Sequence, residues 1–299
     1  KTIKTTCPYC GTGCGVSASV KPQGEVQIAG DADHPANFGR LCVKGAALAA
    51  TLGPEDRLLF PQIAGERASW SQALDLVARK FSRTIERYGP ESVAFYVSGQ
   101  ILTEDYYVAN KLMKGFIGSA NIDTNSRLCM AASVAGHRRA FGADVVPGVY
   151  QDLEQADLVV LVGSNLAWCH PVIFQRLSAA REKRGGKPFV VNIDPRRTAT
   201  SEIADMHLAI EPGADVALFL GLLRTLSRSR ALDRSFVDEH TRGFHEALSI
   251  AAQWTPGAVA RRTGLSLAEV ERFFDLVART DRTVTVYSQG VNQSAAGVD

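Results

Sequence analysis

Asp157-Leu158-Val159-Val160-Leu161-Val162-Gly163-Ser164-Asn165 is an almost unbroken apolar run closed by small polar residues. A short apolar run without alternation reads as a strand covered on both faces, as in a parallel sheet flanked by helices. The pattern recurs downstream. A helix is expected over 172–184, stopped by Gly185-Gly186, and the next strand over 189–193. A third short strand follows over 206–210, then a helix over 216–227. This strand–helix alternation indicates an α/β class. The strands end in polar loops: Gly163-Ser164-Asn165, Asp194-Pro195-Arg196-Arg197-Thr198 and Glu211-Pro212-Gly213-Ala214-Asp215. In open α/β sheets, loops at the carboxyl ends form the ligand crevice. The first loop puts free N–H donors at a helix start, which suits phosphate. Asp194 is placed to hold a ribose hydroxyl, and Arg196 or Arg197 to hold phosphate or stack on a base. Ordinary α/β turn chemistry explains the same residues, and spacing leaves both readings open.

Toward the N-terminus, a helix is expected over 71–88, with Leu74, Val77, Phe81 and Ile85 on one face and Gly89-Pro90 as its stop. Residues 93–97 read as a strand, and Thr103 as the cap of a helix running to about Phe116. Residues 61–65 read as a connector. Residues 15–30 read as an antiparallel pair, 16–20 and 26–29, around a turn at Pro22-Gln23-Gly24.

Four of the six cysteines fall in the first 42 residues, spaced C-x2-C-x3-C-x27-C at Cys7, Cys10, Cys14 and Cys42. A disulfide framework belongs to short secreted chains, so a metal site is the better reading. Zinc usually takes two separated C-x2-4-C pairs. The three-plus-one layout favours an iron–sulfur cubane, whose corners each take one thiolate. Zinc and unrelated thiols stay as alternatives. Gly11, Gly13 and Gly15 allow tight turns that aim N–H groups at sulfur. The histidines show no metal-ligand spacing, and the Arg224 to Arg234 stretch reads as a solvated face.

With 299 residues, about two domains are expected. Hydrophobic residues make up 45% and charged residues 21%, which excludes a disordered tail or a coiled coil. A net charge of +2 speaks against a dedicated nucleic-acid binder, and no apolar run approaches a membrane span. The chain begins at Lys1 without a signal-peptide pattern, and we read it as a fragment or processed chain.

Several motifs resemble one family, in order along the chain. Cys7-Pro8-Tyr9-Cys10 with Cys14, Cys42 and Val43-Lys44-Gly45 resembles the cluster domain of the molybdopterin oxidoreductases. Asn125-Ser126-Arg127-Leu128-Cys129-Met130 resembles the segment carrying the metal ligand. The three strand-end loops resemble the pterin-dinucleotide loops, and Gln289-Gly290-Val291-Asn292-Gln293-Ser294 resembles a further active-site loop. The resemblance implies a small N-terminal iron–sulfur domain with antiparallel strands, then Rossmann-like α/β/α domains. It divides the chain into a [4Fe-4S] domain (1–57), the first part of an α/β domain (58–135) and a domain binding a pterin guanine dinucleotide (136–285). Residues 286–299 then return to the preceding domain. Family members are much longer, so this is an N-terminal portion without the C-terminal cofactor-binding barrel.

Within the family the likeness is strongest to the enzymes that reduce nitrate in assimilation. The ligand is cysteine, whereas many formate dehydrogenases use selenocysteine. Met130 stands where those enzymes carry a histidine able to take a proton from formate. Ser294 stands where periplasmic nitrate-reducing enzymes and formate dehydrogenases carry histidine. Gln289 departs from a methionine found in some assimilatory members.

The resemblance assigns Cys7, Cys10, Cys14 and Cys42 to the cluster and Cys129 to molybdenum, which is held with two pterin guanine dinucleotides. Lys44 passes electrons between cluster and pterin, and Met130 shapes the substrate pocket. Asp144 relays protons or orders water. Gly163, Ser164, Asn165, Asp194, Arg196, Pro212, Gly213, Asp215, Gln289, Gly290, Asn292 and Gln293 contact the cofactor. A cytoplasmic location follows, with a ferredoxin, a flavodoxin or an NADH-dependent flavoprotein as electron donor. The rival readings are a cytoplasmic formate dehydrogenase and a non-catalytic iron–sulfur electron-transfer subunit. Taken alone, Lys44 reads as a surface lysine, Asp144 as a turn residue, Cys129 as a buried structural thiol and Cys169 as a small packed residue.

Overall fold

The computed structural model describes residues 1–229 and 231–298. Arg230, within the charge-rich 224–234 stretch, and Asp299, the end of the 286–299 segment, lie outside the described residues. Two compact units result: residues 1–47 together with the chain from Ala132 onward, and residues 48–131.

The N-terminal sheet has three antiparallel strands, β1 (Thr2–Thr6), β2 (Gly15–Val20) and β3 (Val26–Gly30). The β2–β3 pair matches the sequence reading, with Gly24 supplying the positive φ of its turn. β1 adds a strand that the sequence did not signal. Its Thr and Lys residues are exposed on both faces, so it carries no apolar alternation. Pairing runs from Thr2 opposite Ser19 to Thr6 opposite Gly15. The loop from Cys7 to Cys14 is therefore the tip of a hairpin.

The 48–131 unit contains the short hairpin β4 (Gln62–Ile63) and β5 (Glu66–Arg67), where a plain connector was expected. Its long helix, Trp70–Tyr88, starts one residue early because Ser69 caps it. The Ser69 Oγ accepts from Gln72 N (3.2 Å) and Gln72 Oε1 accepts from Ser69 N (2.8 Å). Such a reciprocal box is worth on the order of 1 kcal/mol. Gly89 stops the helix at φ 84°. Two parallel strands, β6 (Phe95–Val97) and β7 (Ile122–Thr124), flank the helix Thr103–Asn110 and a wider turn over Lys111–Ile117. Leu102, not Thr103, holds the capping position, because Asp105 accepts the Leu102 N–H (3.2 Å).

The rest of the first unit is built on β8 (Leu158–Val162), β9 (Phe189–Ile193), β10 (Met206–Leu208) and β11 (Thr283–Tyr287). These form one parallel sheet in the order β10-β9-β8-β11. The fully buried β8 explains its unbroken apolar run. Leu158, Val160 and Val162 pack with Leu218, Val270, Phe273 and Phe274 on one face. Val159 and Leu161 pack with Leu153, Leu166, Ile173 and Leu177 on the other. The chain moves outward through β9 and β10, then returns to the far side of β8 as β11. The strand order therefore reverses between β8 and β11, the switch point where open α/β sheets bind ligands.

Asp157 closes the opposite end of this sheet. Its carboxylate accepts from Arg282 Nε (2.9 Å) and Arg184 Nη2 (3.1 Å), with Lys187 Nζ at 3.6 Å. The Arg282 bond, aided by the Lys187 and Arg184 charges, holds the Asp157 carboxyl below the usual carboxylate range. A depressed carboxyl stabilises the fold above its unfolded value, about 4, and that stabilisation is lost as pH falls through the folded value. Asp157→Asn is therefore expected to lower the melting temperature at pH 7. Scanning calorimetry across pH checks this: the gap to the parent closes once the medium is acid enough to protonate Asp157.

Candidate functional site

Cys7, Cys10 and Cys14 share the β1–β2 hairpin tip, and Cys7 N donates to Cys14 O at its neck (2.9 Å). Cys42 is brought back by buried Asn37. The Asn37 Oδ1 accepts from Gly15 N (2.8 Å), and its Nδ2 lies within bonding distance of Gly15 O (3.0 Å) and Arg40 O (2.7 Å). Two of the three glycines near the cysteines are required by the fold. Gly13 has φ 66°, and a Cβ on Gly15 would sit 2.3 Å from the His34 ring. Gly11 has open space around it.

Burial, together with the neighbouring Cys10, Cys7 and Cys42, pushes the Cys14 thiol up to about 11. Cys14 thus lies within electrostatic reach of the other three sulfurs. Holding all four as thiolates requires a compensating cationic centre, and binding it releases their protons. Among the described residues, no three His, Cys, Asp or Glu side chains converge on a single ion. Lys44 is exposed in the helix Val43–Ala46 that follows Cys42, its Nζ 5.7 Å from the Tyr9 ring centre.

Three of the four motif loops from the sequence reading meet around the carboxyl edge of β8, β9 and β11. Ser288 Oγ donates to Ser164 Oγ (2.9 Å), and Gly290 N donates to Gly163 O (3.1 Å). Gly163 has φ 54°, and a Cβ there would lie 2.8 Å from Gly290 Cα. Asn165 Oδ1 accepts from Thr200 Oγ1 (2.8 Å), tying the first loop to the segment after the second. Asp194 is buried, and its Oδ1 accepts from Arg196 N (2.8 Å).

The fourth loop is coupled through charge. Burial, with Asp194 adding to it, raises the Asp215 carboxyl above its ordinary range. Two carboxyls that feel each other's charge favour a ligand that donates hydrogen bonds. Near them, Asn192 Oδ1, Thr198 Oγ1 and His207 Nε2 are buried with no protein partner. Such orphaned atoms are costly unless a ligand pairs with them. Pro212, Gly213, Arg196, Gln289, Gly290 and Gln293 are exposed around this edge, and Asn292 is buried beneath it. The donor set fits a polar nucleotide-type group.

Cys129 lies in the other unit, at the carboxyl end of β7. Its N–H donates to Asn125 O (2.9 Å), while Asn125 Oδ1 accepts from Gly99 N (2.5 Å) in the loop after β6. Cys129 is exposed, so it is not the packed structural thiol that its isolation suggested. Met130 is 38% exposed beside it. Asp144 is exposed in the 142–149 loop of the first unit. Cys169 is also exposed, against the expectation of a packed residue: its short helix buries Leu166 and turns Trp168 and Cys169 outward.

The sequence reading missed two groups. Ser133, His137, Tyr287 and Asn292 form a chain: Asn292 Nδ2 to Ser133 Oγ (3.2 Å), Ser133 Oγ to Tyr287 OH (2.7 Å), and Tyr287 OH to His137 Nε2 (2.9 Å). It anchors the 289–293 loop to the helix Ala131–Phe141. Tyr150 meets the cysteine hairpin at Gly11 and Thr12, and Arg176 lies against the Tyr150 ring and the Pro35-Ala36 carbonyls. Tyr150 borders, with Gly11, Thr12 and Tyr287, a cavity of about 990 Å³ along β11. Spacing offers no signal for either group, because their partners are up to 159 residues apart.

Comparison with known proteins places the chain among relatives. The family profile described as Molybdopterin oxidoreductase matches residues 57–299, and Molybdopterin oxidoreductase Fe4S4 domain matches residues 1–52. A nitrate reductase of Klebsiella oxytoca is 56% identical over 99% of this chain and 34% of its own length. A periplasmic nitrate reductase of Desulfovibrio desulfuricans is 38% identical over 100% of this chain and 41% of its own. Formate dehydrogenases are among the further relatives. The solved acetylene hydratase of Pelobacter acetylenicus superposes with a TM-score of 0.85 at 27% identity, covering 99% of this chain and 42% of that one. The chain thus spans well under half the length of these relatives. Among the described residues, no helix is long and apolar enough to cross a membrane.

Proposed function

The chain belongs to the molybdopterin oxidoreductase family, whose matched regions support molybdenum and a [4Fe-4S] cluster, and from that premise we propose that it serves nitrate reduction in assimilation. One observation carries the reading: 56% identity to a nitrate reductase, extending over 99% of the chain. Met130 and Ser294 support it at the residues that separate the formate-oxidising members. When bound, the metal centre supplies the two-electron chemistry that takes nitrate, with two electrons and two protons, to nitrite and water.

The residues have distinct tasks in this reading. Cys7, Cys10, Cys14 and Cys42 hold the cluster, and Cys129 holds molybdenum. A thiolate suits that task because it is soft and electron-donating. Lys44, two residues past the last cluster ligand, carries electrons onward toward the pterin. Ser164 and Asn165 offer N–H and hydroxyl donors to phosphate, on the turn that Gly163 makes while its own N–H is held by Ile193 O (2.9 Å). Asp194 and Asp215 accept from the ligand's N–H or O–H groups, with Arg196 beside them. Pro212 and Gly213 shape the adjoining loop. Gln289, Gly290, Asn292 and Gln293 line the second side of the switch point. Met130 shapes the nitrate pocket, and Asp144 relays protons or orders water. The cofactor is the guanine dinucleotide form, in two copies. The domain division at 57, 135 and 285, a cytoplasmic location and a ferredoxin, flavodoxin or NADH-flavoprotein donor belong to the same proposal.

The test is an assay of the full-length holoenzyme with a reduced viologen as electron source. Nitrite formation from nitrate, without formate oxidation, is the expected result. Formate oxidation without nitrate reduction would assign the chain to the formate dehydrogenases. Iron without molybdenum, in protein from a molybdenum-replete host, would make it an electron-transfer subunit.

A further inference from the structure

We propose that Tyr150 is a positioning residue for the cluster: it orients the Gly11-Thr12 peptides beside Cys10 and thereby sets the cluster's reduction potential. The proposal deepens the cluster reading of Cys7, Cys10, Cys14 and Cys42 and rests on it.

Tyr150 opens the helix Tyr150–Gln155, which packs against the sheet that carries the nucleotide-type site. Its hydroxyl lies 3.1 Å from Thr12 O and 3.2 Å from Gly11 O, so its one proton is shared between two carbonyls. Both carbonyls thus face Tyr150. In planar trans peptides the N–H points opposite the C=O, so the following amides, Thr12 N–H and Gly13 N–H, are turned away from Tyr150, and Gly13 N–H donates to Cys10 O (3.4 Å), closing the turn that carries Cys10. Thr12 is 3% exposed and also meets a ligand sulfur directly: its Oγ1 is 3.4 Å from Cys10 Sγ. Tyr150, Thr12 and Cys10 therefore form one continuous chain of contacts. With the cysteine as a thiolate, the Thr12 hydroxyl becomes the donor. Hydrogen bonds to the sulfurs are among the factors that set the potential of iron–sulfur clusters. They favour the more negatively charged reduced state and so raise the potential.

Arg176 keeps the Tyr150 ring in place. It is 2% exposed, and its guanidinium lies 5.4 Å from the Tyr150 ring centre and 5.0 Å from that of Phe38. Its Nε donates to Glu154 Oε1 (2.7 Å), and its Nη1 to Pro35 O and Ala36 O (2.8 Å each). The same side chain thus grips the segment that leads to Cys42. A cation over a ring face and two carbonyl bonds fix the position of the phenol. Burial, reinforced by the nearby Cys10 and Cys14, raises the Tyr150 hydroxyl above its ordinary value, which keeps it a neutral donor at pH 7.

The experiment is a redox titration of the holoenzyme followed by the electron paramagnetic resonance of the reduced cluster, with iron counted in the same samples. Tyr150→Phe keeps the ring and removes the donor. The expected result is full iron content and a potential lowered by about 59 mV, a tenfold change in the oxidised-to-reduced ratio for one electron. Replacing Tyr150 by 3-fluorotyrosine strengthens the donor without changing the shape, and a shift in the opposite direction is expected. A purely structural role would change iron content or stability and leave the potential where it was. Full iron content with an unchanged potential in Tyr150→Phe overturns the proposal. Where Tyr150→Phe fails to hold iron, the 3-fluorotyrosine protein decides: a positive shift supports the proposal and none overturns it. A parent protein without iron defeats the cluster reading itself, and this proposal with it.

Discussion

Cys129→Ser is expected to abolish nitrate reduction while leaving the iron content unchanged. The substitution exchanges a soft thiolate for a hard hydroxyl at the position assigned to molybdenum. Losing even an outer-shell partner of a metal ligand costs 10–100-fold, so losing the ligand itself should cost at least ~100-fold in turnover. The exchange removes no core packing. Cys129 is exposed, and its hydrogen bond to Asn125 is made by the backbone. The serine protein should therefore keep its melting temperature, its four cluster cysteines and its iron. Metal analysis and nitrite assay on the same preparation check the claim. Nitrite formation within tenfold of the parent would mean that another group holds the metal. Loss of iron together with molybdenum would mean that the substitution acted through folding.

How much of this was legible in the sequence follows from what each element buries. β8 and β9 could be read almost to the residue, because a strand covered on both faces has to be apolar at nearly every position. β1 could not, because both its faces meet solvent and pairing alone holds it. The helices Pro256–Thr263 and Leu267–Ala278 were passed over although their signals were present. Thr255 before Pro256, Gly264 as a left-handed stop, and Ser266 three residues before Glu269 are all cap chemistry.

The site divides in the same way. The cysteine group was legible because residues close in sequence leave a spacing, and the strand-end loops because Gly, Pro and Asp punctuate them. Asn37, Tyr150 and Arg176 were not. Each acts on a backbone group brought near by the fold, and no local pattern records such a contact. Cys169 and Cys129 show the limit for single residues. Both were read alone as packed thiols, and both are exposed, since exposure depends on which side of a short helix a residue occupies.

Gly163→Ala is expected to destabilise the first unit by about 2–5 kcal/mol. The left-handed conformation at Gly163 (φ 54°) costs an L-residue about 1–2 kcal/mol. Overpacking adds about 1–3 kcal/mol, and here it meets backbone. The new Cβ would lie 2.8 Å from Gly290 Cα and 3.0 Å from Gly290 C, and no side-chain rotation relieves that contact. Something must move, and the mobile partner is the 288–293 loop, which is tied to β8 by the Gly290–Gly163 and Ser288–Ser164 bonds. The substitution therefore opens the switch point where the nucleotide-type site is built. Two readouts should move together: a lower unfolding midpoint in denaturant, and weaker retention of the pterin dinucleotide through gel filtration. Gly53→Ala serves as the control, because a Cβ at Gly53 meets nothing within 4 Å, and an effect within about 0.5 kcal/mol is expected there. Equal, small effects from the two substitutions would show that the 288–293 loop yields without cost. The close approach of Gly163 and Gly290 would then not be what holds the crevice in shape.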